Sequence, residues 1–376
     1  MHAPTIPDKL RRLNWWIVLT IAVLGGFGIA VLYSAAGGGG SFQPFAMRQG
    51  LRFVVLLGLM LAIASVDLKF WLRIAYPAYA VVVGLLLVVE LLGAVAGGSQ
   101  RWVDLGIIRL QPSEFMKLTL VLALARYYHF LPRVYVTNPY RMIPPVVMTA
   151  VPAGLVMLQP DLGTATLITA GAVGIMFLAG LNGWLFVGGA VAFAGSLPIA
   201  WQLMHDYQRR RVDIFLNPEN DPLGAGYHIT QSKIAIGSGG ITGKGFLEGT
   251  QSHLNFLPEM HTDFIFAMMS EEWGLLGGLF VLACYAVLIG WGLWVALTGR
   301  SQFGRLLAGG LTITIFLYVC INLMMVMGLA PVVGIPLPLI SYGGSAMMTV
   351  LMAFGLLFAC SLSRDRTLIE EGPNYS

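Results

Sequence analysis

Two carboxylates and an imidazole fall within five residues, at Glu259, His261 and Asp263, just before an apolar run that begins at Phe264. A carboxylate within hydrogen-bond reach of a hydroxyl can take its proton as that oxygen attacks, so this cluster suits general-base work. Asp263 is the first choice for that role, with Glu259 and His261 behind it. A second pair opens another apolar run: Glu114 and Lys117, in Gln111-Pro112-Ser113-Glu114-Phe115-Met116-Lys117. Three residues apart, they share one face of a helix. Asp161, in Gln159-Pro160-Asp161-Leu162-Gly163-Thr164, sits where the chain breaks between two more such runs. Ionisable groups in membrane-grade surroundings face a bundle interior or a wet cavity and are functional candidates by default. Each has a plainer reading: an ion pair tying helices together for Glu114 and Lys117, a helix N-cap for Asp161, and the N-cap or first-turn acid of the following helix for Asp263.

Cations that could meet an anionic ligand are Arg48 and Arg101, in short loops, and Lys233 and Lys244, in a glycine-rich stretch. The glycines invite a phosphate-loop reading. That motif needs Ser or Thr after Gly-Lys, and here Gly243-Lys244 is followed by Gly245, so the match fails. The stretch then makes either tight turns and close backbone approaches or a nest of amides that holds phosphate with Lys233 or Lys244. Arg209, Arg210 and Arg211 suit anionic headgroups.

The elements that must carry these residues are set by composition. Of 376 residues, 57% are hydrophobic and 11% charged, and mean hydropathy is +0.77; soluble domains carry about 25% charged residues. Apolar runs reach the roughly 20 residues a membrane span needs. The expected fold is an all-α polytopic membrane protein, one integral domain over 1–376. Ten spans are read at about 14–35, 50–67, 71–95, 114–130, 142–158, 164–181, 183–201, 264–296, 304–328 and 344–362. The run at Trp15–Ala35 is too long for a signal-peptide core and reads as a retained span. The eighth run is too long for one straight span, so 264–272 is expected to lie at the interface as an amphipathic lead-in. Pro336 and Pro338 preclude a regular helix ahead of Ser341-Tyr342-Gly343-Gly344, which should line a cavity or be buried in protein. Cys284, Cys320 and Cys360 lack paired spacing and read as small core residues.

An even number of spans puts both termini on one side. Lys9, Arg11, Arg12, Lys69, Arg73, Arg126, Arg133, Arg141, Arg300, Arg305, Arg364 and Arg366 share that face, 12 of the 22 basic residues, and the positive-inside rule makes it cytoplasmic. The short tail 363–376 is then cytoplasmic, and the large polar loop 202–263 is extracytoplasmic with the proposed active site.

The motifs around Glu114 and Asp161, with Ala235-Ile236-Gly237-Ser238-Gly239-Gly240, Leu257-Pro258-Glu259, Thr262-Asp263-Phe264-Ile265-Phe266 and Pro338-Leu339-Ile340-Ser341-Tyr342-Gly343-Gly344, resemble the SEDS family (shape, elongation, division, sporulation). The resemblance runs in order over nearly the whole chain. Short tails and the Gly334–Ser341 run look more like the elongation branch, the RodA type, than the division branch, the FtsW type. Met260 stands where relatives often have a polar residue.

The resemblance implies a glycosyltransferase of the inner (cytoplasmic) membrane that polymerises lipid II into peptidoglycan for elongation. Its implied partners are a class B penicillin-binding protein (a transpeptidase), the elongation machinery and membrane lipids; nothing points to nucleic acid. The family's essential loop aspartate corresponds to Asp263, its acid–base pair to Glu114 and Lys117, and its inter-span aspartate to Asp161. The α-linked pyrophosphate of lipid II becomes a β-1,4 linkage, so a single inverting displacement suffices. The leaving pyrophosphate needs charge neutralisation more than a proton, from Lys117, Arg101, Arg48, Lys233 or Lys244. No cofactor is required, and a divalent cation such as Mg2+ or Mn2+ is compatible, although no ligand set has convincing spacing.

Ten spans with proline breaks and buried charges also describe a transporter, here a lipid II flippase with Glu114, Lys117 and Asp161 as a relay. A division paralogue with the same chemistry, or a purely structural scaffold, would also fit the pattern of spans.

Overall fold

In the computed structural model, the described residues are 6–35, 45–92, 94–96, 99–104, 109–203, 206–217, 219, 221, 224–249 and 261–364. Thirteen α-helices cover most of them: α1 (Ile6–Arg11), α2 (Trp15–Ala35), α3 (Phe45–Ser65), α4 (Leu68–Leu92), α5 (Pro112–Phe130), α6 (Pro139–Leu158), α7 (Leu162–Leu178), α8 (Gly183–Leu203), α9 (Asp206–Leu216), α10 (Ala225–Ser238), α11 (Ile265–Thr298), α12 (Gln302–Val326) and α13 (Gly344–Leu362). Seven are long and apolar enough to cross a membrane, and α7 and the first part of α8 are shorter apolar helices. The chain is an integral helical membrane protein.

Backbone groups in hydrocarbon must be satisfied within their own segment, which is why the apolar runs become helices. Prolines inside α6 at Pro144, Pro145 and Pro152 free the carbonyls four residues earlier, and hydroxyls of neighbouring helices meet two of these: Tyr127 Oη donates to Arg141 O at 2.6 Å and Tyr79 Oη to Met148 O at 2.9 Å. The centre of the bundle is α5, buried around nearly its whole circumference from Pro112 to His129. It packs against α4, α7 and α12, while α3 lies along α13 and α11 along α12. A helix apolar on all sides belongs in such a centre. By contrast α8 is exposed along almost its full length, as suits a helix wrapped in lipid.

Two expectations need correction. Arg101, expected in a short loop, lies in a small antiparallel sheet of β1 (Ala94–Ala96), β2 (Ser99–Asp104) and β3 (Arg109–Leu110) in the order β1-β2-β3. Strands this short leave no legible alternation. The lead-in 264–272 is not an amphipathic surface element: Phe264 to Glu272 are all buried, the carboxylates Glu271 and Glu272 included. The length of α11 is resolved by a break at Gly274, whose φ of 62° and ψ of −159° interrupt the helix.

Glycines explain that break. The turns after α10 lie backbone to backbone against it: a Cβ at Gly239 would collide with the Ser270 carbonyl, and one at Gly243 with that of Glu272. Leu275 N donates to Gly240 O at 2.9 Å, and Lys244 N to Glu271 O at 3.0 Å. The glycine-rich stretch is therefore a docking surface for α11.

Candidate active site

The segment between α12 and α13, residues 327–343, is non-helical, as its prolines require. It holds the chain ahead of α11 through backbone and hydroxyl contacts. Tyr342 N donates to His261 O at 2.9 Å, and Ser341 Oγ donates to Thr262 O at 2.6 Å. Asn322, fully buried on α12, donates through Nδ2 to Asp263 O at 2.9 Å and to Ile335 O at 2.7 Å. The Asp263 carboxylate lies over Gly334, where a Cβ would come within 3.4 Å of Oδ2. Asp263 is half-buried, and the residue in the N-cap position of α11 is Phe264, without a side-chain cap. Asp263 itself stands one residue ahead of that position.

His261 stacks on Phe45 with ring centroids 4.3 Å apart, and Phe45 meets Tyr342 edge-on at 5.0 Å. The start of α3 joins the same cluster, because Gln49 Nε2 donates to Ser341 O at 2.9 Å. Arg48 is on the exposed side of this turn. Arg52, one turn on, places its guanidinium 5.4 Å from the Tyr342 ring centroid. Glu259 lies outside the described residues.

One turn before Asn322, Tyr318 donates to Glu114 Oε2 at 2.6 Å. Lys117 Nζ pairs with Glu114 Oε1 at 2.6 Å, donates to Tyr318 Oη as well, and sits 4.2 Å from the Tyr318 ring centroid. All three are buried. The acid–base pair is thus closed by a phenol that brings it to the same face of α12 as Asn322.

Asp161 caps α7: its Oδ1 accepts from Thr164 N at 3.1 Å and its Oδ2 from Thr164 Oγ1 at 2.9 Å. Gln111 Nε2 adds a bond at 3.3 Å, and Arg101 Nη1 stands 3.8 Å from Oδ2. Arg101 also donates from Nε to Gln159 O at 2.9 Å and from Nη2 to Pro160 O. The small sheet therefore delivers Arg101 to the turn that Asp161 begins. The next residue but one, Gly163, abuts the 327–343 segment, since a Cβ there would sit 2.6 Å from Val333 O.

The structure brings Glu114, Lys117, Asp161, Arg101, His261 and Asp263 to the surroundings of one broken segment. It leaves one of the proposed cations elsewhere. Lys244 Nζ pairs with Glu271 Oε1 at 2.6 Å, and the Glu271 side chain is 0% exposed. Lys233, by contrast, folds over Gly328 at the start of the broken segment itself, where a Cβ would meet its Nζ at 2.8 Å. Among the described residues, no three histidines, cysteines or acids converge to hold a metal. Sequence reasoning missed Tyr318, Asn322 and Arg52. An asparagine in an apolar run is costly in hydrocarbon and was a usable signal; a tyrosine there reads as core.

Fold and site define the class: an integral membrane protein of bundled helices, with a buried acid–base pair and an aspartate held beside a proline-broken segment. Residues 12–366 match the FtsW, RodA and SpoVE family of cell cycle proteins, and the chain belongs to it. It is 44% identical to the peptidoglycan glycosyltransferase MrdB of Escherichia coli K12, covering 96% of each chain. It is 35% identical to the stage V sporulation protein E of Bacillus subtilis 168, covering 95% of this chain and 97% of that one. Among solved structures it is similar to a chain of a peptidoglycan synthase complex that coordinates polymerization and crosslinking, with TM-score 0.82, 30% identity, and 94% and 99% of the two chains covered. It is also similar to the rod shape determining protein RodA of Thermus thermophilus, with TM-score 0.71, 27% identity, and 94% and 98% covered.

Proposed function

We infer that this chain is a peptidoglycan glycosyltransferase of the inner membrane that polymerises lipid II into β-1,4 glycan for cell elongation. Its likeness over 96% of its length to a peptidoglycan glycosyltransferase supports the activity. A class B penicillin-binding protein supplies crosslinking as its partner, in keeping with its likeness to a chain of a polymerization-and-crosslinking complex.

In the mechanism we propose, Asp263 is the general base. It takes the proton from the acceptor 4-hydroxyl as that oxygen attacks the donor's anomeric carbon. The bond to pyrophosphate breaks on the opposite face, which inverts the linkage in one step. The observation that carries this assignment is the fixation of Asp263, whose backbone is held by Asn322 and whose carboxylate is set over Gly334. A base so fixed loses little in orientation when the acceptor arrives.

Arg101, Arg48 and Arg52 neutralise the developing charge on pyrophosphate, Arg101 from its place beside Asp161. Lys117, enclosed by Glu114 and Tyr318, organises the interior of the site. Lys244 belongs to the support of α11. A divalent cation such as Mg2+ or Mn2+, if bound with the substrate, would add to the neutralisation of the pyrophosphate charge. In this reading ten helices span the membrane, both termini are cytoplasmic, and Asp263 works on the outer face.

Purified protein in vesicles, given lipid II and a partner whose transpeptidase is blocked, tests the reaction class. Glycan polymer is expected. Transfer of lipid II across the bilayer without polymer would instead make the chain a flippase.

A further inference from the structure

At the other end of the bundle, a cavity of about 350 Å3 opens between the end of α7, the end of α11, the start of α12 and the turn at Arg133. Twenty residues of α12 separate Gln302 in this cavity from Asn322 beside Asp263, a rise of about 30 Å and so about one hydrocarbon thickness. Two guanidinium groups line the cavity, Arg133 and Arg305, with the amide of Gln302, and no acid does. Among the described residues, neither guanidinium has a side-chain hydrogen bond or an ion-pair partner, whereas Arg126 nearby donates to the Leu72 and Arg73 carbonyls. Gln302 is anchored by a bond from Nε2 to Tyr128 O at 2.9 Å, which leaves its Oε1 to the cavity.

The remaining wall is apolar and opens to lipid: Leu178 is 44% and Leu297 75% exposed, and Leu306 closes the inner side. Charge without a counterion on one side and a lipid-facing apolar wall on the other match an amphiphile whose phosphate lies at the membrane boundary. Basic pockets between spans at that depth recognise anionic headgroups. The α12 N-terminus, where Ser301 Oγ accepts from Gly304 N at 3.1 Å, adds positive potential.

We propose that this cavity is a binding site for an anionic phospholipid, with the phosphodiester between Arg133 and Arg305 and an acyl chain along Leu178 and Leu297. The site is separate from the one that takes the polymerisation substrate and does not depend on the role given to Asp263.

Native mass spectrometry of the purified full-length protein, released from micelles holding equal phosphatidylglycerol and phosphatidylcholine, reads the preference directly. The wild type is expected to retain phosphatidylglycerol selectively. An R133Q/R305Q variant should lose that selectivity by about thirtyfold, two headgroup contacts of about 1 kcal/mol each. R133K/R305K should keep most of it, and R11Q/R12Q, altered on exposed basic residues outside the cavity, should keep all of it. Equal retention of the two lipids by the wild type would overturn the proposal whether or not any variant folds. So would unchanged selectivity in R133Q/R305Q, or abolition of the wild-type selectivity by inorganic phosphate, which would make the site one for free phosphate.

Discussion

Asn322 holds the Asp263 carbonyl at 2.9 Å while Tyr318, one turn earlier on the same helix, holds Glu114 at 2.6 Å. One face of α12 thereby couples the segment carrying the proposed base to the buried acid–base pair. Asn322 also holds the Ile335 carbonyl, so a single amide ties the stretch carrying Asp263 to the proline-broken segment.

Asn322→Leu keeps the bulk of that side chain and removes both donors. Each stranded buried carbonyl costs about 1–3 kcal/mol, and the loosened aspartate should lower kcat by about 100-fold. Polymerisation kinetics beside a thermal melt separate the two effects, with KM for lipid II expected to change little.

Glu114 and Lys117 should behave as a unit. Glu114→Gln or Lys117→Met alone strands one buried charge, at about 3–5 kcal/mol of stability. The double variant should be milder than either single one, and a double-mutant cycle on melting temperature reads the coupling. Tyr318→Phe removes one partner from each and should also lower stability, by about 1–3 kcal/mol.

Lys244 distinguishes support from substrate contact. Lys244→Gln leaves Glu271 buried without its cation and should destabilise by about 3 kcal/mol, the low end for a buried pair because Lys244 is partly exposed. Its KM for lipid II, measured on the folded fraction, should match that of the wild type.

Gly163→Ala tests the close approach at Val333. The added Cβ would lie 2.6 Å from a backbone carbonyl, so Val333 and Gly334 must shift and carry the surroundings of Asp263 with them. Polymerisation should fall at least tenfold, roughly what a fraction of an ångström costs an oriented site. Gly154→Ala, with nothing within 4 Å of the new carbon, should leave the rate unchanged.

Much of this was legible in the sequence because hydrocarbon leaves the backbone few choices. Long apolar runs had to be helices, and Pro336 and Pro338 had to interrupt them. Asp161, Glu114 and Lys117 stood out as costly residues in their surroundings. The partners that complete the site were not legible: Tyr318 meets Glu114 across 204 residues, and Asn322 meets Asp263 across 59. No local pattern encodes such pairings. The glycine-rich stretch shows the same limit, since its spacing allowed either a phosphate nest or close packing, and only the break at Gly274 shows the packing.

The most direct test is glycan formation from purified lipid II by Asp263→Asn, reconstituted with its crosslinking partner and compared with wild type. Asparagine keeps the size of the side chain and the backbone bond to Asn322 but has no basic oxygen. A folded protein that makes no detectable polymer is the expected result. Polymer at the wild-type rate would contradict the assignment and remove Asp263 from the chemistry.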